Sequence, residues 1–310
     1  MAIKTNIRVS FCDFYKGMTI TNGFLWNIIA EEYHLTLCKR LPDLLIYGPY
    51  GNRHRKYSCP KIFWTAESKD PDYSQCDFAF SFAETSAKNM HISNIVTYDY
   101  FSDLLDGIYT STLAALREDA KDKFCNFIYK NDQARERVQF CRKLLDKKHV
   151  DCLGTVLKNT EIIEPKNHTE SWKNEKLSLL KQYRFTIAFE NRQKKGYVTE
   201  KMFHPLLVGS IPIYWGAPDI RDYFNPKAFI AVDDFDTYEE CIDYVLQVNS
   251  DRKLLAEYRS APPILPSSKF YEMSHEKIRQ CFLSQVHGLV DVTKVHFTTK
   301  IKSALLRLIG

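Results

Sequence analysis

Apolar residues recur along the chain in short runs with a strand-like period, separated by stretches with helical spacing. Ile7, Val9 and Phe11 alternate with polar neighbours, the pattern of a strand that buries one face. Leu25, Ile28, Ile29 and Tyr33 follow at helical spacing. Leu44-Leu45-Ile46-Tyr47 is a continuous apolar run that ends at the turn Gly48-Pro49-Tyr50-Gly51. Ile62-Phe63-Trp64, Phe78-Ala79-Phe80 and Ile95-Val96 continue the series. Strands this short, bounded by helices or turns, predict a mostly parallel sheet.

The charged stretch 117–123 interrupts the rhythm, which then restarts. A strand is predicted at Phe124–Tyr129. A helix follows, capped by Asn131-Asp132, with Ala134, Val138, Cys141 and Leu145 on its inner face. Further strands are predicted at Phe185–Phe189, Ile211–Trp215 and Ala228–Val232, and helices at Thr199–Val208, Thr237–Val248 and Ser250–Tyr258. Two successive α/β halves follow from this, with ligands expected at the carboxyl ends of the strands. The expected boundaries are 1–118 for the first domain, 119–265 for the second, and 266–310 for terminal helices and a tail.

Composition narrows the reading. The chain has 310 residues, 45% hydrophobic and 26% charged, which excludes a disordered or collagen-like chain. Nine cysteines form no C-x-x-C pair and sit mostly in apolar contexts, so they are read as reduced core residues. No segment reaches the roughly 18 apolar residues of a spanning helix, and the first residues lack an apolar leader. The expected location is therefore the cytoplasm. The sequon Asn167-His168-Thr169 is read as chance. Glycine is scarce, 11 residues, and no Gly-rich phosphate loop occurs. If a nucleotide is bound, charged side chains must hold it. The net charge of +5 is small and suits an anionic small ligand rather than nucleic acid.

The densest chemistry lies at residues 189–201, Phe-Glu-Asn-Arg-Gln-Lys-Lys-Gly-Tyr-Val-Thr-Glu-Lys. It leaves a strand, crosses a basic loop and enters a helix near Thr199. Lys201 falls in the first helical turn, where the dipole disfavours a cation, so a neighbouring anion is expected there. A solvated turn with a Glu–Lys pair is the alternative.

Phe189-Glu190-Asn191, Gly196-Tyr197-Val198-Thr199-Glu200-Lys201 and Ile211-Pro212-Ile213-Tyr214-Trp215-Gly216 together resemble the α-1,3/4-fucosyltransferases, and Asn225-Pro226-Lys227-Ala228-Phe229 extends the likeness. The likeness is closest to the bacterial enzymes that make Lewis-type antigens. It implies two Rossmann-like domains of the GT-B type facing across a cleft, GDP-fucose as donor, inversion at the fucose carbon, and neither metal nor other cofactor. It also implies a donor set of Arg137, Asn191, Tyr197, Glu200 and Lys201. Arg135 is a near neighbour that could be mistaken for Arg137. The loop Arg192–Lys195 is more basic than the family usually carries, and its role stays open.

The resemblance places the general base in Phe63-Trp64-Thr65-Ala66-Glu67-Ser68, where Ala66 stands in place of the bacterial glycine and Glu67 is retained. Inverting transfer to a hydroxyl needs a carboxylate that accepts the acceptor's proton. Glu67 is that candidate, with Asp70, Asp72 and Glu84 as fallbacks; an ordinary exposed glutamate is the alternative. Two Asp-x-Asp matches, at 70–72 and 234–236, carry no weight for a metal. In 291–310 the apolar positions fall near one helical face and the lysines mainly elsewhere, so peripheral contact with an anionic membrane competes with packing on the protein.

Three readings result. The first is an inverting α-1,3-fucosyltransferase acting on the GlcNAc 3-OH of N-acetyllactosamine-type or lipopolysaccharide glycans. The second is the 4-OH or dual enzyme on type 1 chains. The third is a glycan-binding module without chemistry, which the 14% aromatic content would suit.

Overall fold

A computed structural model describes residues 4–93, 121–160 and 170–291, the last segment without the side chains of 170–174. The expected strand at Ile95-Val96, the sequon and the terminal amphipathic stretch lie outside the described residues. The chain divides into two units. One contains described residues 4–93 together with 272–291, and the other 121–160 and 170–271.

The first unit is built on β1 (Thr5–Cys12), β2 (Tyr33–Leu37), β3 (Leu44–Tyr47), β4 (Lys61–Trp64), β5 (Phe78–Ser81) and β6 (Asn89–His91). They form a sheet in the order β2-β1-β3-β4-β5-β6, every neighbouring pair parallel. β3 and β5 are buried at every position, as strands covered on both faces must be. α1 (Phe24–Glu32) turns Leu25, Ile28 and Ile29 inward. It stops one residue short of the prediction, because Tyr33 adopts an extended backbone and pairs with Thr5.

A helix over residues 275–291 completes this unit. Its Phe282 ring lies 5.9 Å from Trp64 and 5.4 Å from Phe80, and Tyr33 bonds His287 at 2.6 Å.

The second unit repeats the plan with β7 (Lys123–Phe127), β8 (Asp151–Cys152), β9 (Tyr183–Phe189), β10 (Ile211–Trp215) and β11 (Ile230–Ala231), ordered β11-β10-β9-β7-β8 and again all parallel. Its helices are α2 (Arg135–Lys147), α3 (Glu170–Leu180), α4 (Glu200–Leu207), α5 (Tyr238–Ser250) and α6 (Arg252–Ser260). Phe127, Phe185, Ile187 and Ile213 of the sheet pack with Phe140, Leu144, Ile242 and Val245 of α2 and α5 in one buried core. Six of the nine cysteines are buried and all are free thiols.

Two local expectations are corrected. Asn131 does not cap α2. Its Oδ1 instead accepts from the Gln133 amide at 2.8 Å, closing a turn that delays the helix to Arg135. The inner face of α2 consequently carries Arg137, Phe140, Cys141 and Leu144, with Val138 and Leu145 at its margin. The strand expected at Ala228–Val232 shrinks to two residues. Asn225 caps a 3-10 turn with Pro226 in its first position, and a second such turn begins at Val232.

Both sheets switch winding direction beside their first strand, at β1/β3 and at β7/β9. In open parallel sheets the crevice at the carboxyl ends of such a strand pair is where ligands bind.

Candidate active site

At the β7/β9 switch point the chain concentrates charge inside the protein. β9 ends at Phe189, and the next residue, Glu190, is wholly buried. Its carboxylate accepts from the Thr199 amide at 2.8 Å and from the Thr199 hydroxyl, and lies 3.2 Å from Lys201 Nζ. Gly216 makes room for it, since a Cβ there would stand 2.6 Å from Glu190 Cγ. Thr199 is the extended N-cap of α4, and its hydroxyl also accepts from Lys201 Nζ at 3.0 Å. Glu200 approaches the same ammonium at 3.8 Å.

The Glu–Lys pairing of the alternative reading is thus what the structure shows, but largely buried rather than solvated: Lys201 stands between the carboxylates of Glu190 and Glu200. Burial alone would depress the Lys201 ammonium, but Glu190 and Glu200 reverse this and hold it above the ordinary lysine range. Burial pushes the Glu190 carboxyl up, against the pull of Lys201. Burial also pushes Glu200 up, but Lys201, Lys176 and His204 outweigh it and hold that carboxyl down at about 2.

A second chain of contacts begins on α2. Arg137 is 2% exposed, whereas Arg135 is exposed, so the fold separates the two arginines. Its guanidinium lies 4.4 Å over the Tyr129 ring, and Nη1 donates to Asn191 Oδ1 at 3.2 Å. Asn191 Nδ2 donates in turn to the Tyr197 hydroxyl at 3.4 Å. Arg137 Nε is buried without a hydrogen-bond partner among the described residues. A buried guanidinium left partly unsatisfied is suited to receive an anion. Tyr129 anchors the set, its hydroxyl donating to the carbonyls of Ile187 and Phe189.

All five expected donor residues therefore stand in the second unit, in two linked groups. One is Arg137–Asn191–Tyr197 and the other Glu200–Lys201. Glu190 and Tyr129 went unassigned in the sequence. A carboxylate directly after the apolar strand end Ile187-Ala188-Phe189 was the available signal for Glu190. A hollow of about 20 Å³, lined by Asn126, Tyr129, Lys176, Thr186, Lys201 and His204, has room for about one water and is far too small for a nucleotide. The basic loop is mostly exposed, and Gln193 bonds Asp233 at 2.9 Å.

Glu67 stands in the first unit, exposed, in the loop after β4. Its amide donates to Thr65 Oγ1 at 2.9 Å, and its Oε1 accepts from the Tyr50 hydroxyl at 2.7 Å. The fallback carboxylates are exposed, and Asp72 is engaged in a local turn with Ser74. Among the described residues no His, Cys, Asp and Glu side chains cluster as a metal site would require, and Asp234 of the second Asp-x-Asp pairs with Arg221. No helix among them is long and apolar enough to cross a membrane.

Residues 118–285 match glycosyltransferase family 10 (fucosyltransferase), C-terminal part, and residues 9–100 match the N-terminal domain of the α-(1,3)-fucosyltransferase FucT. The chain belongs to glycosyltransferase family 10. Among its relatives is the α-(1,3)-fucosyltransferase FucT of Helicobacter pylori, 29% identical over 74% of this chain and 54% of that protein. The α-(1,3)-fucosyltransferase B of Drosophila melanogaster is 33% identical over 41% of this chain and 30% of its own length. The chain spans about half the length of the H. pylori relative and less of the insect one. A crystal structure of an α1,3-fucosyltransferase with GDP superimposes with a TM-score of 0.72 at 23% identity, covering 93% of this chain and 91% of that one. Its form with GDP-fucose gives 0.70 at 22%, covering 92% and 91%. The fold is therefore the GT-B type of these enzymes.

Proposed function

We propose that the protein is an inverting α-1,3-fucosyltransferase. It takes L-fucose from GDP-β-L-fucose and places it on the GlcNAc 3-OH of N-acetyllactosamine-type glycans, giving a Lewis x type product. The observation that carries the reading is the buried Arg137, linked through Asn191 to Tyr197 beside the Lys201 cluster, within the stretch that matches the fucosyltransferase family.

Glu67 accepts the proton of the acceptor hydroxyl as its oxygen bonds to fucose C1. The bond from C1 to the β-phosphate oxygen breaks, and GDP departs with the electron pair. Arg137 and Lys201 stabilise the charge that grows on the diphosphate, the task a metal performs in other transferases. Tyr197, Asn191 and Glu200 hold the nucleotide and sugar hydroxyls. Glu190 keeps Lys201 charged and in place, so it is a positioning residue.

The test is GDP release from GDP-fucose in the presence of N-acetyllactosamine, with and without EDTA, followed by linkage analysis of the product. A 3-linked product formed equally well in EDTA is expected. Absence of turnover on every β-galactosyl-GlcNAc acceptor would overturn the reading. Loss of activity in EDTA would overturn its metal-free part. A 4-linked product from a type 1 chain would move the assignment to the 4-OH enzyme.

A further inference from the structure

The loops after β1, β3 and β4 leave the first sheet side by side at its carboxyl edge, because those three strands are adjacent and parallel. They are tied into one frame. Asp13, directly after β1, has a left-handed backbone with φ 59° and a buried carboxylate. That carboxylate accepts from the amides of Arg53 and His54 at 3.2 and 2.9 Å and from His54 Nδ1 at 2.8 Å. Burial pushes the Asp13 carboxyl up, but these bonds outweigh it and hold it down at about 2. Between them, Gly48 N donates to Cys12 O at 3.0 Å and Tyr50 N to Asp13 O at 2.8 Å. Gly51 admits no side chain, since a Cβ would lie 2.4 Å from Asp13 Oδ1. The β4 loop is tied to the same frame by Lys69 Nζ donating to Pro49 O at 3.0 Å.

The frame fixes the backbone of Tyr50, and the hydroxyl of Tyr50 reaches one oxygen of Glu67. Among the described residues Oε2 of Glu67 accepts no hydrogen bond. An exposed glutamate is otherwise free to sample its rotamers, and fixing it in one of them when it is used costs conformational entropy. Tyr50 is 54% exposed, more than core packing of its ring would allow.

Resting on the assignment of Glu67 as base, we propose that Tyr50 is a positioning residue. It occupies Oε1 and so leaves Oε2 as the oxygen presented to the acceptor hydroxyl. Orientation of a reacting group enters the rate directly, without a change in donor binding.

Tyr50→Phe removes the hydroxyl and keeps the ring. Turnover with the preferred β-galactosyl-GlcNAc acceptor is expected to fall about tenfold in kcat. The KM for GDP-fucose, the affinity for GDP and the melting temperature are expected to stay unchanged. Glu67→Asp, one methylene shorter, cannot reach Tyr50. In that background Tyr50→Phe should slow turnover no further, the non-additivity expected of groups acting as a unit. Wild-type kcat in Tyr50→Phe beside an inactive Glu67→Gln overturns the proposal and leaves the base assignment standing. The same tenfold loss repeated on Glu67→Asp overturns it too, as does a loss matched by lower thermal stability. Full turnover by Glu67→Gln overturns the base assignment, and the proposal with it.

Discussion

The two units share one topology yet prepare their switch points in opposite ways. In the second, ionised groups are sunk into the protein: Glu190 is wholly buried, Arg137 nearly so, and Lys201 lies between two carboxylates. In the first, the candidate base is exposed and is held by hydrogen bonds between surface loops, with the buried charge one layer below at Asp13. Burial makes charge strong but ties it to the fold. Exposure leaves a carboxylate free to exchange a proton with a ligand and makes its geometry the property at risk. Donor residues should therefore link binding to stability, and the base should affect rate alone.

The sharpest test of that contrast is Glu67→Gln. Turnover should drop about a thousandfold, within the range for loss of a general base, with GDP affinity and melting temperature unchanged. Steady-state kinetics beside GDP titration decides it.

Lys201→Ala should do the opposite, weakening GDP binding and destabilising the fold together. Leaving Glu190 buried without its partner costs about 3–5 kcal/mol, readable by chemical denaturation. Removing both charges in Lys201→Met/Glu190→Gln should recover most of that stability without recovering GDP affinity.

Asp13 contributes about 2 kcal/mol through its depressed carboxyl. That stability is present above the unfolded carboxyl value near pH 4 and is lost as pH falls through about 2. Asp13→Asn should be less stable at neutral pH and should show a flatter acid branch in thermal melts.

The smallest effect belongs to Lys176. Burial pushes its ammonium down, with Glu200 opposing and Lys201 assisting, to about 8. It lines the hollow that Lys201 also lines, so it is expected to add cationic attraction below that pH and to lose it above. GDP affinity should fall a few-fold as pH rises through about 8, and Lys176→Met should flatten the change.

What the sequence made legible follows from how many neighbours each element needs. β10 was readable at its full length, Ile211–Trp215, because a strand buried on both faces is apolar throughout. β2 was not. Only Tyr33 in it is fully buried, and Tyr33 also continued the helical spacing of Leu25, Ile28 and Ile29. Two-residue β8 carries too little pattern to register at all.

Arg137, Asn191, Tyr197, Glu200 and Lys201 were legible as a set only through family resemblance. The contacts that join them connect residues far apart in the chain, Arg137 to Asn191 for example. Glu190 stayed hidden because an isolated glutamate reads as exposed, and its burial depends on Gly216 of another element. Tyr50 could not have been found. Its partner lies 17 residues away, on a loop brought beside it only by the pairing of β3 with β4.

The helix over residues 275–291 has a consequence for the order of assembly. Trp64 and Phe80 find their Phe282 contact only after the whole second unit has been synthesised. At about 5–20 residues per second, the stretch between residues 93 and 275 takes roughly 10–40 s to emerge. Throughout that interval the first sheet waits with part of its apolar face uncovered, and by its end every described strand and helix of the second unit has emerged. On the ribosome, the unit encoded second is completed first.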